Sequence, residues 1–262
     1  GQLDAQRGVV LGWADGLAGH LTVSGANANG VQSSYTGGGI SVGSGGDGVL
    51  HVTEGGHLSA PGLAGSMNLA TKSTGSGDVL IAGRDANGNP STVEVGRTIN
   101  VGHEGPASLT VADGGVLRSG FDDPNSFGMV ALRPTTSPVD ILVTDPDSSW
   151  EHANDLLIGG TAGGPGGQAT MTIDDRATVN IGGKLKVWDA SNLQLLGGTI
   201  SAGTVELASG SDLQFGIGGP QPVDDFGQLL VGDDAFLDGN LRVALLDEFE
   251  PATEDTFIVL DA

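Results

Sequence analysis

The sequence predicts an all-β fold, a right-handed parallel β-solenoid whose coils repeat about every 29 residues. Three observations predict it: short segments of alternating apolar residues recur at a nearly constant spacing, glycine-rich turns separate them, and only 4% of the 262 residues are aromatic. Segments this short cannot bury a face as isolated hairpins. Stacked coil upon coil, they form one continuous core, because each backbone group pairs with the coil above or below.

The repeat consists of two series of short apolar segments. Those of the first series begin 29, 29, 30, 32 and 30 residues apart, at residues 21–23, 50–52, 79–81, 109–111, 141–143 and 171–173. A second series with similar spacing runs at residues 9–11, 40–42, 67–69, 99–101, 129–130, 156–158 and 185–187. Alternation with a period of two is typical of strands with one buried face, so each segment is predicted to be a strand.

Glycine-rich turns and a third short strand complete each coil. Gly55-Gly56 and Gly114-Gly115 follow the first series at matching offsets, and the third strand comes next, at residues 57–58 and 116–117. Glycine suits these turns because it accepts a positive φ without steric cost.

Alternate coils resemble each other more closely than neighbouring coils do. Two serines precede an aromatic residue both at 33–35 and at 148–150, which predicts a longer unit of two coils. The three tryptophans, Trp13, Trp150 and Trp188, are expected to pack against other residues rather than to stack on sugar rings.

Residues 42–56 and 101–115 share a spaced pattern, in which Val-Gly is followed by Leu-x-Val-x-x-Gly-Gly. This pattern resembles the repeats of bacterial autotransporter-type passenger proteins, and the related repeats of surface proteins that carry a PEP-CTERM sorting tail. The resemblance spans residues 10–200 and departs from the pattern at 174–177, where Asp-Asp-Arg-Ala replaces the Gly-Gly turn. It implies a β-solenoid passenger exposed at a cell surface.

The spacing pattern of the repeat changes near Ser209. We therefore divide the chain into a β-solenoid repeat region, residues 1–208, and a C-terminal capping segment, residues 209–262, which resembles the closing segment that follows such repeats. A β cap would cover strand edges that could otherwise recruit other chains.

The charge balance excludes several classes of partner. Ten Lys and Arg residues stand against 32 Asp and Glu residues, a formal net charge of -22. No basic stripe exists to neutralise phosphates, so neither nucleic acid nor an anionic membrane surface is an expected partner. No apolar run is long enough to insert into a membrane. The chain has no cysteine, which excludes disulfides and thiolate metal sites.

Two groups of residues have the composition of a metal site. Asp85, Asn87 and Asn89 alternate like the oxygen ligands of a calcium loop, although the bidentate Glu of an EF-hand is missing and a plain turn has the same composition. The acidic segment 122–125 is interpreted in the same way. His51, Glu54 and His57 could be zinc ligands, but they span a strand, a turn and a strand, so their side chains should diverge. Calcium is the one cofactor that the sequence leaves open.

No residue pattern indicates catalysis. With so many acidic residues, paired carboxylates are uninformative, and the arginines that would bind an acidic sugar are scattered along the chain. No serine or cysteine nucleophile motif is present. The chain is therefore predicted not to be an enzyme, and no catalytic residue is assigned.

These observations favour an extracellular or cell-surface structural or adhesive protein: a stalk, passenger or matrix component. We expect its partners to be other copies of the chain, through homo-oligomers or end-to-end filaments, or surface glycans. The alternative is a carbohydrate-binding or polysaccharide-processing β-helix.

Overall fold

The computed structural model describes residues 1–5, 7–134 and 138–262. All regular secondary structure in these residues is β, with 28 strands and no helix. The parallel strands stack in coils, which confirms the predicted all-β solenoid. In the described part of the chain, no helix has the length and apolar character needed to span a membrane.

The strands form three columns along the solenoid, and each coil visits the columns in turn. Column 1 contains β1 (Gln2–Ala5), β4 (Ser34–Gly37), β7 (His57–Ala60), β10 (Thr92–Val95), β13 (Val116–Ser119), β16 (Ser149–His152), the first halves of β21 (Thr178–Val187) and β23 (Thr199–Leu207), β25 (Gln228–Val231) and β28 (Leu260–Asp261).

Column 2 contains β2 (Val9–Leu11), β5 (Ile40–Val42), β8 (Met67–Leu69), β11 (Ile99–Val101), β14 (Phe127–Val130), β17 (Asp155–Ile158), the second halves of β21 and β23, and β26 (Ala235–Leu237). Column 3 contains β3 (Ala18–Ser24), β6 (Asp47–Thr53), β9 (Ser76–Ala82), β12 (Ala107–Ala112), β15 (Val139–Val143), β20 (Ala169–Ile173), β22 (Asn192–Leu195), β24 (Asp212–Ile217) and β27 (Asn240–Leu245). A small antiparallel hairpin, β18 (Gly160–Thr161) and β19 (Gly164–Pro165), lies outside the columns.

The strand register confirms both predicted series of segments. The first series forms column 3, where one inward row comprises Leu21, Leu50, Val79, Leu109, Ile141, Met171, Leu193, Leu213 and Leu241. The second series forms column 2, and the third strand of each coil forms column 1. The row continues past residue 171, where the sequence series ended. The series ended there because the next two coils, from 171 to 193 and from 193 to 213, are shorter than the 29-residue period.

Inward residues of successive coils form one continuous core. Strand burial alternates between buried and partly exposed positions, and the largest fully buried side chains include Trp150, Tyr35 and Phe215. Both aromatic residues that follow paired serines are therefore core residues, which confirms the predicted packing of Trp150. Trp188 also packs as predicted, with the Lys186 ammonium 3.8 Å from its ring centre.

The prediction for Trp13 is wrong, because 69% of this residue is exposed. Trp13 lies in the turn that follows β2 and not in a strand, so it has no place in an inward row. The repeat pattern specifies only the strand positions, and residues in the turns are free to face solvent.

The spacing of column 1 confirms the two-coil unit. Strands β4, β7, β10, β13 and β16 begin at residues 34, 57, 92, 116 and 149, so that shorter and longer coils alternate. Loops at two of the longer corners, 25–33 and 83–91, each close by an antiparallel bridge, Ala26 to Gln32 and Arg84 to Pro90.

Residues 209–262, the predicted capping segment, contribute strands β24 to β28. These strands extend the columns by parallel pairing, and β27 lies against β24. Leu213 and Phe215 of β24 are fully buried, whereas Leu241 and Val243 of β27 are exposed. The segment therefore covers the buried core of the preceding coils with strands of the same architecture.

Candidate functional site

The calcium candidate formed by Asp85, Asn87 and Asn89 lies in the corner loop between β9 and β10. Oδ1 of Asp85 accepts the backbone N–H groups of Asn87 at 2.8 Å and of Asn89 at 2.9 Å, and Oδ2 accepts the Asn89 side-chain amide at 2.9 Å. These hydrogen bonds, the Asn89 side-chain amide foremost, lower the pKa of Asp85. Its carboxylate thus closes the loop, and calcium binding there stays a prediction.

The loop at residues 27–31 has the same geometry with an amide in place of the carboxylate. Oδ1 of Asn27 accepts the backbone N–H groups of Asn29 at 2.9 Å and of Val31 at 3.1 Å. Because an uncharged oxygen closes this loop equally well, the shared requirement of the two loops is a hydrogen-bond acceptor and not a negative charge.

The zinc candidate formed by His51, Glu54 and His57 is not assembled. His51 lies on column 3, with Nε2 3.9 Å from Oδ2 of Asp78, and His57 lies on column 1, with Nε2 3.9 Å from Oε2 of Glu94. The side chains diverge as expected from a strand, a turn and a strand. Among the described residues, no three His, Cys, Asp or Glu side chains lie close enough together to hold a metal ion.

A buried serine–histidine pair was missed by sequence reasoning. Oγ of Ser119 lies 2.9 Å from Nδ1 of His152, and the indole N–H of Trp150 donates to the same Oγ at 3.0 Å. Nε2 of the ring donates to the carbonyl oxygen of Asp155 at 3.0 Å, so Nδ1 of the neutral ring is the acceptor and receives the Ser119 hydroxyl hydrogen. The register that aligns Ser119 with His152 only becomes visible in the stacked coils.

This serine–histidine pair has a structural role. Ser119 and His152 are fully buried, so no substrate could reach the hydroxyl. Burial lowers the pKa of His152 to about 4, which keeps the ring neutral at physiological pH. Every polar atom of the network has a partner, which is the condition under which polar groups can be buried at low cost.

A concave site of about 190 Å³ lies at the corner between columns 1 and 2. We call it the corner groove, and it is lined by Ser59, Pro61, Glu94, Val95, Gly96, Arg118, Phe121 and Asp122. Its walls are the loops 61–66 and 120–126, which project on either side of the short corner that follows β10.

Hydrogen bonds join the two walls of the corner groove across the intervening coil. Oδ2 of Asp122 accepts the backbone N–H of Gly62 at 2.7 Å, and the backbone N–H of Asp122 donates to the carbonyl oxygen of Gly96 at 2.7 Å. A side chain at Gly96 would collide with the Asp122 carboxylate, so the close approach of the two loops requires glycine.

The acidic segment 122–125 forms part of one wall. Oδ1 of Asp123 accepts the backbone N–H of Asn125 at 3.0 Å, and Oδ2 accepts Nε of Arg97 at 2.9 Å. The N–H of Asn125, followed by the Arg97 guanidinium, lowers the pKa of Asp123. The Asp123 carboxylate therefore stabilises the turn at residues 122–125, as the Asp85 carboxylate stabilises its own loop.

Charged and aromatic side chains meet inside the corner groove. Arg118 bridges Glu94 at 3.5 Å and Glu151 at 3.0 Å, linking three successive coils. Its guanidinium carbon lies 5.0 Å from the ring centre of Phe121, half of which is exposed. Sequence reasoning missed this site, because Glu94 lies on a different strand from Arg118, in the preceding coil, and only the pairing of β10 with β13 brings it beside Arg118 and the nearby Phe121.

Comparison with known proteins found no match to this chain among protein-family models, curated proteins or solved structures. The class to which the protein belongs is therefore defined by its fold alone, a parallel β-solenoid of about nine coils.

Proposed function

We propose that the chain is an extracellular or cell-surface structural protein, a stalk, adhesin passenger or matrix component, and not an enzyme. One observation carries this proposal: the nine strands of column 3 pair in parallel without interruption from β3 to β27. At about 4.8 Å per coil, the solenoid is a rod roughly 40 Å long, and backbone hydrogen bonds run along its axis. Such a ladder resists extension and keeps its two ends at a constant distance.

Ion pairs between coils support the same proposal. Among the described residues, seven basic side chains pair with carboxylates elsewhere in the stack: Arg84, Arg97, Arg118, Arg176, Lys184, Lys186 and Arg242. Lys184 and Lys186, for example, both bind Glu206 of the next coil and lower its pKa. Exposed pairs contribute at most about 1 kcal/mol each. The ion pairs place the few cations between acidic coils and so reduce the electrostatic repulsion between those coils.

We propose end-to-end association as the way in which copies assemble. Strands β3 and β27 each have a pairing partner on one side only. If β27 of one copy lay against β3 of another, Leu241 would continue the row of Leu21 and Val243 the row of Val23. The contact would bury apolar side chains and satisfy two free strand edges.

Location and catalysis can be tested directly. We expect antibodies against this chain to label intact cells of its source, and protease added outside the cells to remove the label. Detection of the chain only after cell lysis would contradict a surface location.

We also expect no reducing ends or unsaturated products when the purified chain is incubated with polysaccharides. Turnover would overturn the structural role in favour of a polysaccharide-processing β-helix.

A further inference from the structure

We propose that the corner groove binds one neutral sugar residue of a glycan, which stacks on Phe121 and forms hydrogen bonds with Glu94 and Arg118. The proposal is independent of the stalk function, because it concerns the side of the solenoid and not its ends.

The exposure of Phe121 is the first observation that indicates a ligand. Other exposed aromatic residues, such as Trp13 and Phe236, belong to terminal coils, where a second copy stacked on the end could cover them. Phe121 follows β13 in the middle of the solenoid, so continued stacking would leave it uncovered. Arg118 holds the ring in place, and the ring lines the cavity. An anchored aromatic ring offers an apolar surface to the C–H face of a sugar.

The charged groups beside the ring supply the polar half of a sugar site. Glu94 and Arg118 are directly paired in the register of β10 and β13, and both remain partly exposed. A carboxylate accepts about four hydrogen bonds and a guanidinium donates five, so both keep free positions after their mutual ion pair. Adjacent hydroxyl groups of a sugar, each a donor and an acceptor, match this combination.

The size and charge of the corner groove define the kind of sugar. Its volume of about 190 Å³ is below the ~300–1,000 Å³ of sites that enclose a whole small-molecule ligand, so it suits one ring of a longer chain. Two carboxylates, Glu94 and Asp122, line the groove beside the guanidinium of Arg118, and a third, Glu151, pairs with the same guanidinium. In a chain with a net charge of -22, this surplus repels uronic and sialic acids, and a neutral sugar is favoured.

The walls of the corner groove are already in a binding geometry. The Asp122 carboxylate ties the loop 120–126 to Gly62 of the opposite wall, and Asp123 ties the same loop to Arg97 below it. Binding therefore requires little ordering of the loops, and loop ordering is one of the costs that lower affinity.

Calorimetric or NMR titration of the full chain tests the proposal. The probes are neutral oligomers of β-1,4-glucan, chitin and mannan, with oligogalacturonate as the acidic comparison. We expect at least one neutral oligomer to bind at millimolar concentration, with chemical-shift changes at Phe121 and Glu94, and the acidic oligomer not to bind. Failure of every neutral oligomer, or preference for the acidic one, would overturn the proposal.

Two variants locate the site. Phe121→Ala should lower the affinity at least tenfold, and Glu94→Gln, which keeps the shape of the side chain, several-fold. Trp13→Ala is the matched control, since it removes an exposed aromatic ring elsewhere and should leave the affinity unchanged. Phe121→Tyr retains the ring and should bind, even if the alanine variant does not fold. Equal affinity of all folded variants would place the sugar elsewhere and refute the assignment.

Discussion

Ser119, Trp150 and His152 place hydrogen-bonded polar atoms in the buried interior of the solenoid. Their hydrogen bonds form a chain from the indole N–H through the hydroxyl to the imidazole, which ends on the carbonyl oxygen of Asp155. In the neutral imidazole that burial favours, Nε2 donates to the carbonyl oxygen and Nδ1 accepts the hydroxyl hydrogen. Protonation of His152 would remove that acceptor and place a charge in the core.

We therefore expect stability to fall as the pH decreases from 6.5 to about 4. The folded-state pKa of His152 is about 4, against 6.5 for the model imidazole, so the unfolded chain binds the proton first. The contribution of the neutral ring is fully present above pH 6.5 and is lost as the pH falls through the folded-state value. At 1.36 kcal/mol per pKa unit, the loss amounts to about 3 kcal/mol.

Urea unfolding at several pH values measures this effect, with His152→Gln as the control. The variant should be less stable at pH 7, yet its midpoint should depend less on pH between 6.5 and 4. Asp85, Asp123 and Glu206, whose pKa values are lowered, add pH dependence equally to both proteins. Parallel pH profiles of the two proteins would show that His152 does not titrate as described.

Gly96 is required for the close approach of the two loops that wall the corner groove. Gly96→Ala should destabilise the chain by about 1–3 kcal/mol, because the added Cβ would force apart the Asp122 carboxylate and the Gly62 backbone. Gly163→Ala is the matched control: an added Cβ there has no neighbour closer than 3.8 Å. Thermal unfolding of both variants decides the matter, and equal midpoints would contradict the proposed contact.

At the scale of elements, the corner loops set the length of each coil, while the strands keep a constant register. The loops at 27–31 and 85–89 use the same two backbone hydrogen bonds around one side-chain oxygen. An element of this kind tolerates changes in charge as long as it keeps the acceptor.

Asp85→Asn should consequently cost less than about 1 kcal/mol, whereas Asp85→Ala, which removes the acceptor, should cost about 1–2 kcal/mol. Melting temperatures with calcium and with a chelator check this interpretation. If calcium raised the midpoint of the wild type but not that of Asp85→Asn, Asp85 would be a calcium ligand after all.

At the scale of the whole molecule, the solenoid has a continuous core in its interior and exposed apolar side chains at its ends, such as Leu3 and Leu17 in the first coil and Leu241 and Val243 in the last. Association through these ends should grow with protein concentration. It should also increase with salt from about 0.05 M to about 0.5 M, because screening weakens the repulsion between copies with a net charge of -22. Sedimentation velocity measures both dependences.

Leu241→Lys tests the predicted contact, since it places a charge in the row that would meet Leu21 of the next copy. The variant should remain monomeric and folded, because Leu241 is exposed in the monomer. Phe121→Ala, which changes an exposed apolar residue on the side of the rod, should associate like the wild type. Equal association of wild type and Leu241→Lys would exclude the end contact.

The sequence by itself determined the coil, both series of strands and the packing of Trp150, because alternation with a period of two and recurrent glycine turns are local signals. Only the tertiary structure decided which distant residues meet. Ser119 reaches His152, and Phe121 joins Glu94 and Arg118, through strand register and loop projection between coils. Corner loops of different lengths lie between these residues in the chain, and no local pattern in the sequence specifies how far a loop projects or which neighbour it meets.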